Sequence, residues 1–208
     1  MKNSNTKIVT VGSFEVHSGK MMVSDPCYSP DTWCQGVLEN VENGKWTSLI
    51  VKTDDTLGWG ERVAELIVFH DSIEPFDDIM EDYFCAWEET DIDVGVDSGM
   101  AGFYDLPKFK GAEEDRDWYD DICNQMFHVN DLPPHHTNDG VIVCGSGVVS
   151  TSGYGDGGYK CYIFKNKNGK IDMAKIVFID LFQDDNDKDL IEDDDDAEDW
   201  IEDGVESP

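Results

Sequence analysis

The chain has 208 residues, with 46 Asp/Glu against 15 Lys/Arg, and a formal net charge of −31. Apolar residues at 39 % and aromatics at 11 % exclude a chain disordered throughout and suffice for one packed domain. A field of this sign opposes direct binding of nucleic acid and favours cations or basic protein surfaces. No run of about 18 apolar residues is present, so no helical membrane span is expected.

The charge is unevenly placed. Residues 71–121 hold 18 Asp/Glu against three Lys/Arg, a net of −15, and residues 184–206 hold 14 against one, a net of −13. The remainder is close to balance at −3. The pattern predicts a nearly neutral body carrying two negative regions.

In chain order, the first residues lead into an apolar run at 8–11 (IVTV) that is too short for a signal peptide. The cysteines, Cys27, Cys34, Cys85, Cys123, Cys144 and Cys161, form no C-x-x-C pair. They read as reduced, buried small hydrophobes in a cytoplasmic protein rather than a disulfide frame or zinc site. Strands are expected at 8–11, 13–16, 21–23, 37–41 and 46–52. Asn43-Gly44, between the last two, predicts a tight hairpin because both residues accept positive φ. Segment 61–70 (ERVAELIVFH) fits strand or helix, and Ile67, Val68 and Phe69 lean it to strand. A short helix is expected over 77–87.

In 91–97, Ile92, Val94 and Val96 alternate with Asp91, Asp93, Gly95 and Asp97. This is a half-buried strand with a carboxylate row facing out. Over 113–127 the period changes: Trp118, Ile122 and Met126 recur at i, i+4 and i+8, with Tyr119, Cys123 and Phe127 broadening the stripe into an amphipathic helix. Glu113, Glu114 and Asp115 suit its positive N-terminus. Strands follow at 141–150, 159–165 and 170–182, the last two joined by a turn at 166–169. Residues 176–182 are apolar on both faces, as a central strand requires.

The expectation is a mainly β domain over 1–183, an antiparallel sandwich or open barrel, with one prominent helix near 113–127. An acidic, disordered C-terminal tail occupies 184–208, because repelling carboxylates bury nothing that offsets ordering entropy. The five lysines between 160 and 175 are the local positive cluster onto which that tail would fold back.

Three loops rich in Gly, Asp and Tyr lie at strand ends, where binding residues often sit. Asp25-Pro26-Cys27-Tyr28 reads as an Asx-type turn leaving a strand. Asp97 and Ser98 stand where a strand meets a glycine turn. Segment 152–159 (SGYGDGGY) reads as a wide hairpin or bulge, with neither Walker nor Rossmann spacing. Together they give a candidate pocket of Asp25, Tyr28, Asp97, Ser98, Tyr154 and Asp156. Two of the carboxylates at 91, 93 and 97, or the acids of 185–196, would hold a divalent cation weakly at most; the latter lack the glycine and the terminal Glu of a calcium loop. No cofactor is expected. His135-His136 point apart and make a poor chelate, and no nucleophile–histidine triad is legible.

Asp25–Tyr28, Val96–Gly99 with Ala101–Phe103, and the stretch 147–159, in this order and spacing, resemble a bacterial and phage domain family of unknown function, DUF4241. The likeness spans about residues 10–182. It implies a mainly β domain and no activity. Two functional classes follow from the residues. One is a non-enzymatic acidic binding protein that occupies a basic protein surface as a nucleic-acid mimic, inhibiting a nuclease or phage-defence effector. Its contacts would be Glu113, Glu114, Asp115, Asp117, Asp120 and Asp121, which one helix presents closely spaced. The alternative is a small-ligand or metal-dependent enzyme built on the Gly/Asp/Tyr loops.

Overall fold

The computed structural model describes residues 6–55, 60–73, 87–127 and 138–181. Eleven strands, all but one isolated bridge antiparallel, form two sheets among these residues. The strands are β1 (Lys7–Val16), β2 (Lys20–Ser24), β3 (Gly36–Glu39), β4 (Gly44–Asp55), β5 (Gly60–His70), β6 (Glu88–Val96), β7 (Met100–Asp105), β8 (Gly140–Val143), β9 (Gly147–Thr151), β10 (Gly157–Lys165) and β11 (Ile171–Val177). The six-stranded sheet runs β1-β4-β5-β11-β10-β6 and the five-stranded sheet β3-β2-β7-β9-β8.

The sheets face each other as a sandwich. Period-2 patterning sends one side of each strand into the shared core. Phe14, Trp46, Leu66, Val94, Val96 and Ile176 come from the larger sheet, and Met21, Val23, Leu38, Phe103 and Val148 from the smaller. Fully burying each large apolar side chain contributes about 1.5–3 kcal/mol. The two edges also close. The Glu15 N–H donates to Gly145 O (2.9 Å) beside β1 and β8, and the Gly95 N–H of β6 donates to Cys34 O (2.8 Å) just before β3.

An α-helix, α1 (Arg116–Phe127), covers the outer face of the small sheet. Trp118, Ile122 and Met126 are its buried residues, as the 3.6-residue period requires. Trp118 meets Phe109 edge-on, with ring centroids 5.7 Å apart, and Tyr104 at 5.8 Å. The small sheet is therefore covered on both faces, which explains why every residue of β7 is buried.

The alternation over 91–97 is borne out, with Val94 and Val96 in the core. Segment 61–70 is strand, and 166–169 turns a β10–β11 hairpin closed by Gly169 N–H to Asn166 O (2.8 Å); β11 is an interior strand but ends at Val177, so the strand expected over 170–182 does not continue through 178–181. Four other expectations are corrected. Asn43-Gly44 does not close a hairpin: β3 pairs with β2, and β4 with β1 and β5. Leu38 and Trp46 both face the core but from opposite layers, so the chain must cross between sheets there. Segment 152–159 likewise crosses, from β9 in the small sheet to β10 in the large one, and is not a hairpin. Segment 141–150 is a hairpin rather than one strand, because Cys144 and Gly145 take φ of +48° and +67°, the signature of a type I′ turn. That turn also leaves Cys144 exposed, whereas Cys34 and Cys161 are buried as expected. The expected helix at 77–87, His135-His136, the calcium-like loop and the acidic tail lie outside the described residues, apart from Trp87.

Candidate functional site

Asp25 directly follows β2 and is completely buried. Its Oδ1 accepts from the Cys27 N–H (2.8 Å) and the Ser98 hydroxyl (2.6 Å). Its Oδ2 accepts from the N–H groups of Asp97 (2.9 Å) and Ser98 (2.8 Å). The first contact is the expected Asx turn; the others reach across to the turn joining β6 to β7. Because β2 and β7 belong to the small sheet and β6 to the large one, this carboxylate ties the layers together. Its four donors are N–H and O–H groups, with no lysine or arginine among them.

Polar side chains crowd the same corner. Burial, followed by the nearby Asp25 carboxylate, pushes the Cys27 thiol far above its ordinary range. It therefore stays protonated at neutral pH and is a poor nucleophile. Burial first, then the nearby Cys34 and Asp97, raise the Tyr28 hydroxyl in the same direction. The buried Tyr104 hydroxyl has no hydrogen-bond partner among the described residues, and burial, with Asp25 and Cys27 nearby, keeps it protonated.

The corner thus brings together Asp25, Tyr28, Asp97 and Ser98 from the expected pocket. Tyr154 and Asp156 border it on an exposed loop. That loop is anchored by Ser152 N–H to Gly99 O (3.0 Å) and by the Tyr159 hydroxyl on Gly155 O (2.6 Å) and Ser152 O (3.0 Å). Among the described residues no cluster of three or more His, Cys, Asp or Glu has a metal-binding arrangement. Asp93, one of the considered cation ligands, pairs with Lys160 at 2.6 Å.

The six acids at α1 divide into two sets. Asp115 caps the helix, accepting from the Trp118 N–H at 3.0 Å, and pairs with Lys110. The lysine first, then the backbone donor, hold its carboxyl below the ordinary range. Asp120 pairs with Arg116 at 2.9 Å, and Glu113 accepts from the Ser29 hydroxyl at 2.9 Å. Glu114, Asp117 and Asp121 are exposed and have no cationic partner among the described residues. Close packing fixes this segment against loop 25–35. Gly111 takes φ +78°, and a Cβ there would stand 2.1 Å from Tyr28 O.

Sequence reasoning passed over one residue in this neighbourhood. Trp33, on loop 25–35, is 90 % exposed. Its signal was an isolated indole in the polar, turn-forming segment SPDTWCQG, where no apolar period explains it.

The family model described as a protein of unknown function, DUF4241, matches residues 14–176. The chain belongs to this family. The match runs from within β1 to within β11 and leaves the acidic tail outside. The segments that carry the DUF4241 likeness, around Asp25, Asp97 and 152–159, are the ones that converge at the Asp25 corner. Neither a curated protein nor a solved structure matches the chain. No described helix is long and apolar enough to cross a membrane.

Proposed function

We propose that this DUF4241 protein is a non-enzymatic acidic binding protein that occupies a basic protein surface, in the manner of a nucleic-acid mimic. An inhibitor of a nuclease or defence effector is the concrete form of that role. The observation that carries the reading is the bare carboxylate stripe at α1. Glu114, Asp117 and Asp121 recur every three to four residues and are exposed without cationic partners among the described residues. Asp117 and Asp121 are about 6 Å apart along a helix axis, close to two nucleotide steps, about 7 Å, along one DNA strand. A surface that reads phosphates by counterion release meets comparable charge spacing here.

The alternative, a ligand or metal site at the Gly/Asp/Tyr loops, has less support. Both oxygens of Asp25 already take two hydrogen bonds each, and Cys27 is held protonated.

The test is capture from a bacterial lysate by the immobilised wild-type chain and by a Glu114→Lys/Asp117→Lys/Asp121→Lys variant, with elution in a salt gradient. The expected result is a nucleic-acid-binding protein held by the wild type, released by moderate salt or by added DNA, and lost with the variant. Equal retention by both chains would overturn the assignment of the contact surface.

A further inference from the structure

Trp33 is held out of the core by an ordered loop. Ser29 O accepts from the Thr32 N–H (3.3 Å), the Thr32 hydroxyl (2.7 Å) and the Gln35 amide (2.7 Å). Gln35 Oε1 in turn accepts from the Ser24 hydroxyl at 2.6 Å. The next residue, Cys34, is buried, with its carbonyl bound to β6. The backbone on either side of the indole is therefore fixed while the ring stands in water. Among the described residues the other exposed large hydrophobics, Ile8, Phe127 and Tyr154, keep roughly half or more of their surface covered, whereas Trp33 keeps only a tenth. A large aromatic presented on a hydrogen-bonded loop suits an interface anchor, because the loop is already ordered and little backbone entropy remains to be lost on contact.

The loop that carries Trp33 bears charge of one sign. Asp31, two residues away, is exposed. The Ser29–Glu113 hydrogen bond brings the approach to α1 against the same loop, and Asp25, at the loop's start, binds the N–H of Asp97 on the other side. Residues 21–44 contain no Lys or Arg, and Lys110 and Arg116, on the segment that leads into α1, are already paired with Asp115 and Asp120.

We infer that Trp33 is the anchor through which this chain grips an arginine-bearing protein segment. The guanidinium stacks on the indole while Asp31 and the acids leading into α1 pair with its edge. Arginine is selected over lysine because its flat guanidinium can stack and form forked carboxylate hydrogen bonds at once, whereas an ammonium is a point charge. The inference rests on the basic-surface reading above and adds the partner chemistry and the anchor to it.

The experiment is calorimetric titration of the full-length chain with an eight-residue alternating Arg-Gly peptide and with its Lys-Gly counterpart, at low and physiological salt. The expected result is tighter binding of the arginine peptide. Trp33→Ala should weaken that binding about tenfold, leave its salt dependence unchanged, and leave thermal unfolding unchanged, since little of the ring is buried. Equal binding by Trp33→Ala and wild type overturns the inference, as does equal affinity of the wild type for the two peptides. If binding is steep in salt and is lost in the Glu114→Lys/Asp117→Lys/Asp121→Lys variant but not in Trp33→Ala, the basic-surface reading stands and the anchor fails. If neither peptide binds the wild type at low salt, both fall.

Discussion

Carboxylates are used in opposite ways on two sides of this molecule. Around the β10–β11 hairpin of the larger sheet they are matched with lysines: Lys160 reaches Asp93 and Glu89, Lys165 reaches Glu88, Lys170 reaches Glu42, and Lys175 reaches the buried Glu65 at 3.0 Å. Four of the five lysines of the β10–β11 hairpin are thus engaged within the folded body, so an acidic tail docking there would have to displace them. Beside α1 and loop 25–35 the exposed acids Asp31, Glu114, Asp117 and Asp121 have no such partners among the described residues. Between these extremes stands Asp25, buried like Glu65 but held by N–H and O–H donors instead of a cation. The same residue type is therefore structural in one place and available in another, and hydrogen-bond partners, rather than local acid density, separate the two.

The sharpest way to break this distinction is to remove Asp25. Asp25→Ala strands three backbone N–H groups and a serine hydroxyl in a buried corner, and a loss of about 3–5 kcal/mol is expected in denaturant unfolding. Asp25→Asn is a finer probe. Its amide oxygen can face the Asp97 and Ser98 N–H groups, but its NH2 then opposes the Cys27 N–H, so a smaller loss of about 1–3 kcal/mol is expected. Wild-type stability in Asp25→Ala would show that the corner is no structural tie and would return Asp25 to the list of free functional groups.

The opposite behaviour is expected at the stripe. Glu114→Gln/Asp117→Asn/Asp121→Asn removes three charges that meet no cation, so the thermal midpoint should stay within about 2 °C of wild type at physiological salt. At low salt it should rise slightly as like-charge repulsion is relieved. A loss approaching that of Asp25→Ala would place these acids among the structural ones and remove the basis of the proposed contact surface.

What the sequence made legible follows the range of the interaction. The alternation of Ile92, Val94 and Val96 and the helical spacing of Trp118, Ile122 and Met126 are local periods fixed by which face is buried, and the structure keeps both. The Asx turn at Asp25 is also local, because its first acceptor contact is two residues away. The remaining three contacts span 72 or 73 residues and leave no trace in the turn. Turn chemistry at Asn43-Gly44 and at 152–159 said that the chain bends but not which sheet it enters. That depends on whether the flanking strands are neighbours or facing layers, and Leu38 and Trp46 look equally apolar in either case. For α1, the sequence exposed the density of acids. It did not separate Asp115 and Asp120, which have partners, from Asp117 and Asp121, which do not.

Asp115 offers the smallest and most specific test of that division, since it sits beside the bare stripe yet acts as a cap. Asp115→Ala should lower the thermal midpoint by a few degrees, because the Trp118 N–H loses its acceptor. Asp115→Asn keeps a good capping oxygen and loses only the ion pair with Lys110, so it should melt close to wild type at physiological salt, where exposed pairs contribute little. The pH dependence fixes the sign. The Lys110 hydrogen bond, then the Trp118 N–H, holds the Asp115 carboxyl below its unfolded value. Its stabilising contribution is therefore present above the unfolded value, about 3.9, and is lost as pH falls through the folded one. The small gap between wild type and Asp115→Asn, measured by melts at low salt from neutral pH downward, should close in that acidic window and nowhere above it. A gap that persists after the carboxyl is protonated would mean that Asp115 acts through packing rather than charge, and the line between paired and bare acids along α1 would have to be redrawn.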